Sequence, residues 1–258
     1  MIRLEYVLRR LANLSLEDFQ KYWRDIHGPL VAKTQTTLKI LKYVQLHTIS
    51  DPVNDAMRKS RGTMEAYDGV EEFWWKNLED LEAVLGSEEG AKAFEELIDD
   101  EREFIDFSGS NMWLAMELPQ INPLEEIIAT EKSTINKNYF CFHHLPTLSL
   151  EEAQLYWRMN HGPIVRSYAQ AAGLLRYIQV HRIDSILAEK LRDPRGIVEP
   201  PFTGHAEAWF DRTEGRARFA TPEGKKAFDI FIEDERNFID LPRGATWLCK
   251  EHVFIDRR

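Results

Sequence analysis

The chain has 258 residues, 43% of them hydrophobic and 29% charged, so it is long enough to build one large core or two small ones. A formal net charge of −10 at pH 7 disfavours binding to the phosphates of nucleic acids. No apolar run approaches the roughly 20 residues of a membrane-spanning helix, and the charged N-terminus does not resemble a signal peptide. The two cysteines cannot form a disulfide framework or a four-thiolate zinc site. From these features together we expect a cytoplasmic protein that does not bind membranes.

The first half of the chain predicts elements in the order β-α-β-β-α-β. Residues 2–9 are typical of a strand. Ser15 is a suitable N-cap for the first helix, which we expect to end at Gly28-Pro29 because proline cannot continue a helix. The elements expected after it are two strands, a second helix and a fourth strand, at 41–48, 66–75, 88–105 and 111–117.

The second half of the chain repeats the first. Residues 14–29 recur as 148–163, an offset of 134 that also relates Trp113 to Trp247. The offset changes by one residue before the third strand, where Gly69 matches Gly204. Two units are therefore predicted, and the segment between them, which has no counterpart, is interpreted as a linker. The division is 1–117, 118–136 and 137–258.

This repeat predicts an α+β fold in which two units share one barrel. A βαββαβ, ferredoxin-like unit has helices on only one face of its sheet. A second copy is the natural cover for the other face, so we expect the two sheets to form a pseudo-dimeric α/β barrel within one chain.

Three linked motifs resemble the EthD family. They are Tyr-Trp-Arg-x-x-His-Gly-Pro, Tyr-x-Gln-x-His and Gly-x-x-Glu-x-Trp, and they begin at Tyr22, Tyr43 and Gly69 in the first unit. The resemblance covers both units and implies the dimeric α+β barrel fold. It restricts function only loosely, because relatives include a protein of ether degradation and fungal dehydratases of aromatic polyketides. Wider barrel relatives include haem enzymes, cofactor-free monooxygenases and isomerases.

Strand alternation suggests which side chains meet a ligand. In the second strand, Val44 and Leu46 should face the helices, which places Tyr43, Gln45 and His47 in the barrel interior. Their copies are Tyr177, Gln179 and His181. A polar trio on a concealed face predicts a ligand-lined interior, although an edge-like, partly hydrated strand would also explain it.

The third strand repeats a glutamate two residues before a tryptophan. Glu72 shares a face with Trp74, and their copies are Glu207 and Trp209, with His205 on the same face. A mid-strand glutamate is a candidate for a raised carboxyl pKa and for general acid or base catalysis. A salt bridge to Arg24 or Arg158 is the structural alternative, and the sequence does not decide between them.

His27 and His161 are expected at the end of the first helix of each unit. The resemblance makes this histidine a candidate for catalysis. The negative end of a helix also favours an imidazolium there without any catalytic role, so both interpretations stay open.

Histidines are concentrated in the second unit. His143, His144 and His205 stand where the first unit has Arg9, Arg10 and Val70. Because histidine changes protonation near neutral pH and arginine does not, we expect acid–base chemistry in the second unit. Arg9 or Arg10 would then hold an anionic substrate group, and exposed rings at a strand end are the simpler alternative for His143 and His144.

Together these patterns predict a cofactor-independent lyase, a dehydratase or decarboxylase, acting on a phenolic or polycyclic aromatic metabolite. No cofactor or metal is expected, and a homodimer is left open. The alternatives are a cofactor-free or haem-dependent oxygenase and a non-catalytic carrier of an aromatic ligand. The expected catalytic residues are His143, His161, His181, His205 and Glu207. The expected substrate-binding residues are Arg9, His27, Tyr43, Gln45, His47, Glu72, Tyr177, Gln179 and Trp209.

Overall fold

A computed structural model describes residues 1–258 and shows eight strands closed into one antiparallel barrel. The strands are β1 (Ile2–Leu8), β2 (Lys42–Thr48), β3 (Gly69–Trp75), β4 (Asn111–Ile121), β5 (Ile135–His144), β6 (Arg176–Arg182), β7 (Gly204–Asp211) and β8 (Ile239–Asp256). Their order around the barrel is β1-β3-β2-β8-β5-β7-β6-β4. Each half of the chain thus contributes four neighbouring strands, and the α+β barrel of two repeated units is confirmed.

Ten α-helices lie outside the barrel. They are α1 (Leu16–Tyr22), α2 (Gly28–Thr34), α3 (Pro52–Arg61), α4 (Leu78–Leu85), α5 (Glu88–Glu101), α6 (Leu150–Tyr156), α7 (Gly162–Ala172), α8 (Ile186–Arg192), α9 (Arg212–Phe219) and α10 (Pro222–Glu235). The simple βαββαβ order omits α3 and α8, which follow the second strand of each unit. No helix combines the length and the apolar character needed to cross a bilayer.

The two additional helices are exchanged between the units. Leu187 and Leu191 of α8 belong to the apolar core of the first unit, whereas α3 packs against β8 of the second. Arg195, just after α8, bonds Glu101 of the first unit, and Arg61 at the end of α3 bonds Glu235 of the second. Each unit therefore completes its outer layer with a helix from the other.

The first helix does not end at Gly28-Pro29, contrary to the sequence prediction. After α1, a π-helical turn (Trp23–His27) leads directly into α2, and Gly28 has an ordinary helical φ of −55°. Pro29 lies in the first turn of α2, where a missing N–H is tolerated. Glycine is required for space, because a Cβ at Gly28 would lie 2.4 Å from the ring of Phe254.

The chain between the units is shorter than the predicted linker. Strand β4 continues to Ile121, and β5 begins at Ile135. The intervening segment is anchored where the backbone N–H of Ala129 donates to Glu251 of β8 at 2.5 Å.

Candidate functional site

The barrel interior is filled by aromatic rings and by a buried ionic cluster. Arg3 of β1 contacts Glu5, Glu72 and Glu207, each at 2.7 Å. Lys137 of β5 contacts Glu72 at 2.9 Å and Glu207 at 3.0 Å. The two glutamates do share the interior, as expected, but their cationic partners are Arg3 and Lys137. The predicted partner Arg24 bonds its neighbour Asp25 instead.

The pKa values of the two repeated glutamates shift in opposite directions. Burial raises the pKa of Glu72 to about 7, although Lys137 and Arg3 oppose this shift. For Glu207, burial is outweighed by Arg3 and Lys137 and by a hydrogen bond from His205, so its pKa lies well below the usual value. Glu207 is therefore an ionised member of an ion-pair network, and it is not a proton donor.

The histidines of the second unit do not converge. His205 lies inside the barrel, stacked on Tyr139 with 4.1 Å between ring centroids, and burial lowers its pKa to about 3. His181 lies on the opposite face of the sheet, stacked on Trp157, and burial likewise lowers its pKa to about 3. His143 packs against Phe202, with its pKa lowered by burial to about 4. Of the predicted cluster, only His205 and Glu207 come together, with Nε2 of His205 lying 3.1 Å from Oε1 of Glu207, while His143 and His181 lie elsewhere.

The polar trio of the second strand faces outward, which reverses the sequence prediction. Val44 and Leu46 belong to the barrel interior. The hydroxyl of Tyr43 donates to Glu71, and the amide of Gln45 donates to the carbonyl of Trp23. His47 stacks on Trp23, and Gln179 repeats the Gln45 contact with Trp157. Tyr43, Gln45, His47 and Gln179 thus hold the helical layer against the sheet.

Two further predictions about substrate binding fail in the first unit. Arg9 donates to the backbone carbonyls of Glu65 and Ala66 and lies over the ring of Tyr67. Arg10 is ion-paired with Asp68. Both guanidinium groups therefore secure the chain before β3.

A cavity of about 370 Å³ lies between the sheet and the helices of the second unit. Its sheet side consists of outward-facing residues of β5, β6, β7 and β8, and α3 of the first unit closes one flank. Most of the lining is apolar or aromatic. The residues that shape it most are Met57, Arg61, Asn138, Phe140, Trp157, His161, Tyr177, Ala206, Ala208, Phe210, Phe228, Phe231 and Thr246.

His161 presents one free ring nitrogen at this cavity. It occupies the last position of the second π-helical turn (Trp157–His161), and its Nδ1 lies 2.7 Å from Oδ2 of Asp234. Burial would raise the pKa of Asp234, but hydrogen bonds from His161 and Tyr156 outweigh it, so this pKa is lowered. The ionised Asp234 accepts a hydrogen bond from Nδ1 and so orients the ring, while Nε2 has no hydrogen-bond partner in the protein.

The first unit has the same dyad but no free nitrogen. His27 Nδ1 lies 2.7 Å from Asp100, and its Nε2 lies 3.2 Å from Oε1 of Glu71. Burial opposes protonation of His27, but Glu71 and Asp100 outweigh it and raise its pKa to about 10. The imidazole of the first unit is therefore a buried cation at neutral pH.

Two small residues open the cavity in the second unit. Aligning the Gly-x-x-Glu-x-Trp motifs pairs Glu71 with Ala206 and Phe73 with Ala208. In the first unit these larger side chains, with Tyr6 and Trp75, leave only about 10 Å³ of space. Sequence reasoning missed the cavity, Asp234 and Arg61, although a large-to-small difference between repeats is a usable signal.

Two buried clusters have enough carboxylate and imidazole ligands for a metal ion. One comprises Glu5, Glu72 and His205, and the other comprises His27, Glu71 and Glu101. In the first cluster Arg3 contacts both glutamates and Lys137 contacts Glu72, and in the second Arg195 bonds Glu101 at 2.6 Å. Their chemistry is therefore that of ion-pair networks.

Comparison with known proteins identifies the family. The EthD domain matches residues 11–108 and again 145–242, so the chain belongs to the EthD family. None of the curated proteins matches it.

The fold resembles that of an anthrone oxidase-like protein, with 11% identity, a TM-score of 0.57 and coverage of 100% of this chain and 94% of that one. A candidate monooxygenase from Lactobacillus acidophilus has 9% identity and a TM-score of 0.47, with coverage of 99% and 95%. Another from Fusobacterium nucleatum has 7% identity and a TM-score of 0.49, with coverage of 98% and 93%.

Proposed function

We propose that the protein is a cofactor-independent enzyme that deprotonates a flat, hydroxylated or ketonic polycyclic aromatic compound in the cavity of the second unit. The observation that carries this proposal is the free Nε2 of His161, held by Asp234 at the wall of an aromatic cavity. An oriented imidazole with an ionised carboxylate behind it is suited to general base catalysis. The apolar walls would clamp the rings and exclude water.

Among the reactions that begin with this proton transfer, oxygenation fits the cavity best. Dehydration also needs an acid to protonate the departing hydroxyl, and Glu235 is one of two carboxyl groups on the lining, with Asp229. Both oxygens of Glu235 already accept hydrogen bonds from Arg61 at 2.8 Å. An oxygenase needs only the base, because the carbanion itself reacts with O₂. The likeness to an anthrone oxidase-like fold is consistent with this choice.

The proposed reaction balances without a further reductant. His161 takes a proton from a ring CH₂ group, and the carbanion attacks O₂ to form a C–O bond. Protonation gives a hydroperoxide, whose remaining C–H proton is removed as the O–O bond breaks. The sum is CH₂ + O₂ → C=O + H₂O, in which carbon is oxidised and dioxygen is reduced.

Anthrone, a tricyclic ketone with one acidic CH₂ group, is the probe for this proposal. We expect oxygen uptake with formation of the quinone, and His161→Gln should lower the rate by about 10²–10⁴-fold, the usual contribution of a general base. His205→Gln, which changes an imidazole inside the barrel, is the matched control and should retain the rate.

Three results would redirect the proposal. Anaerobic turnover of a hydroxylated aromatic acid, with loss of water or CO₂, would favour the lyase. A Soret band in freshly purified protein would favour a haem-dependent oxygenase. If ligands bind but are recovered unchanged with and without O₂, the protein is a carrier.

A further inference from the structure

Strand β5 carries two outward-facing amide groups that the first unit lacks, and one of them, Asn138, lines the cavity. The offset of 134 pairs Asn136 with Ile2 and Asn138 with Leu4. Ile2 and Leu4 lie in the apolar core of the first unit. Apolar side chains therefore satisfy the fold at these positions, and the amides require another explanation.

Asn138 presents an unused hydrogen-bond donor at the cavity. The hydroxyl of Thr246 donates to Oδ1 of Asn138 at 3.2 Å, which orients the amide, and no hydrogen bond in the protein uses its Nδ2. Both residues line the cavity. Thr246 is itself a difference between the units, since its counterpart is the buried Met112. A polar pair has thus replaced an apolar one on the wall.

Asn136 extends this polar strip along β5. It points to the same face as Asn138, is only 1% exposed, and has no hydrogen-bond partner for either side-chain polar atom. An unpartnered buried amide lowers stability, so Asn136 is a cost to the fold. It is not among the residues that line the cavity, and the donor available to a ligand is therefore that of Asn138.

The strand register gives the spacing between the Cα atoms of Asn138 and Ala206. Phe140 pairs with Ala206, and Asn138 pairs with Ala208. His161 and Ala206 both line the cavity, and Ala206 is the counterpart of Glu71, which lies 3.2 Å from Nε2 of His27. From this pseudo-symmetry we infer that Nε2 of His161 faces Ala206. Diagonal neighbours on antiparallel strands are about 7–8 Å apart, which is comparable to the width of two or three fused rings.

We propose, on the basis of the proposed function, that Asn138 binds a ketone or phenolate oxygen of the substrate while His161 faces the carbon across the ring system. Removal of a proton from that carbon moves negative charge through the rings to the oxygen. An amide N–H donor there stabilises the developing oxyanion. The substrate class is therefore a fused-ring aromatic whose oxygen lies across the ring from the reacting C–H.

A pair of isosteric ligands tests this role in the whole protein. The probes are 1-tetralone, which carries the carbonyl, and tetralin, which lacks it, titrated by calorimetry. Asn138→Leu, the residue found at the equivalent position of the first unit, should weaken 1-tetralone binding by about fivefold to tenfold, as expected for one lost hydrogen bond. Tetralin binding should change by less than about twofold, because the cavity stays apolar. Asn138→Ala serves as a second variant if the leucine variant does not fold.

Three outcomes would overturn the inference. Binding of both ligands could change equally, binding of neither could change, or 1-tetralone could fail to bind the unmodified protein. The proposed reaction fails separately. If anthrone is not oxidised but the selective loss of 1-tetralone binding is found, Asn138 keeps its role and the reaction is wrong. If anthrone is oxidised but the two ligands respond alike, the reaction stands and the role of Asn138 is wrong.

Discussion

A single residue difference separates the two histidine dyads. Glu71 holds the pKa of His27 at about 10, whereas Ala206 leaves Nε2 of His161 without a carboxylate. Ala206→Glu should therefore convert His161 into a buried imidazolium that cannot accept a proton. We expect anthrone oxidation to fall by at least about 100-fold, the lower end of a general-base effect.

The reciprocal change in the first unit provides the control. Glu71→Ala should lower the pKa of His27 and leave turnover unchanged, because no cavity adjoins that ring. It should also reduce the free energy of unfolding by about 1–3 kcal/mol, since Trp23 Nε1 and the Tyr43 hydroxyl lose their buried acceptor. Retained turnover in Ala206→Glu would contradict the assignment of His161 as the base.

At the scale of residues, the sequence predicted the alternation of the strands but not which face was which. The usual rule places apolar side chains against the core and polar ones elsewhere. In a closed barrel both faces of a strand are covered, so alternation cannot orient it. Here the apolar Val44 and the charged Glu72 both lie inside the barrel, while Gln45 faces the helices and donates to the carbonyl of Trp23.

At the scale of elements, the exchanged helices bind the halves through paired ion bridges. Arg61 contacts both oxygens of Glu235 at 2.8 Å, with 11% and 5% of their side chains exposed. Arg61→Met should lower the free energy of unfolding by about 3–5 kcal/mol, because it leaves a buried carboxylate without a partner. Urea denaturation measures this change.

The double variant Arg61→Met/Glu235→Leu is the matched control for that loss. It removes both charges, so we expect it to recover most of the stability that the single change costs. If the single and double variants are equally destabilised, the helix α3 is held by its apolar contacts and the ion pair contributes little.

The existence of these exchanged helices was not predictable from a repeat alone. A duplicated sequence shows which segments are equivalent. The local sequence pattern of α3 and α8, however, is the same whether each helix packs on its own unit or on the other one. The helix continuing through Gly28-Pro29 was missed for a different reason. A π-helical turn before the proline removes the clash that would otherwise end the helix. Local residue composition does not predict such a turn.

At the scale of the molecule, the two units are joined by a barrel interior whose charges come from both. Arg3 and Glu72 belong to the first unit, while Lys137 and Glu207 belong to the second. Such a buried network resists separation of the halves but makes stability depend on pH. Larger side chains fill the equivalent space in the first unit, whose helix α3 lines the cavity of the second unit. The proposed reaction therefore has one site, in the second unit.

Glu72 should dominate one part of that pH dependence. Its pKa is about 7 in the folded protein against a usual value of 4.5, so between these values the folded state holds a proton that the unfolded state releases. Stability should therefore fall as pH rises from about 4.5 to about 7 and then level off, by up to about 3 kcal/mol for this group. Glu72→Gln, always neutral, should lack this component in urea denaturation curves measured across the range. Glu207→Gln should behave oppositely and lose stability at neutral pH, because Arg3 and Lys137 lose an ionised partner. Parallel curves for the unmodified protein and Glu72→Gln would show that Glu72 is ionised throughout and that the interior holds one more negative charge than we infer.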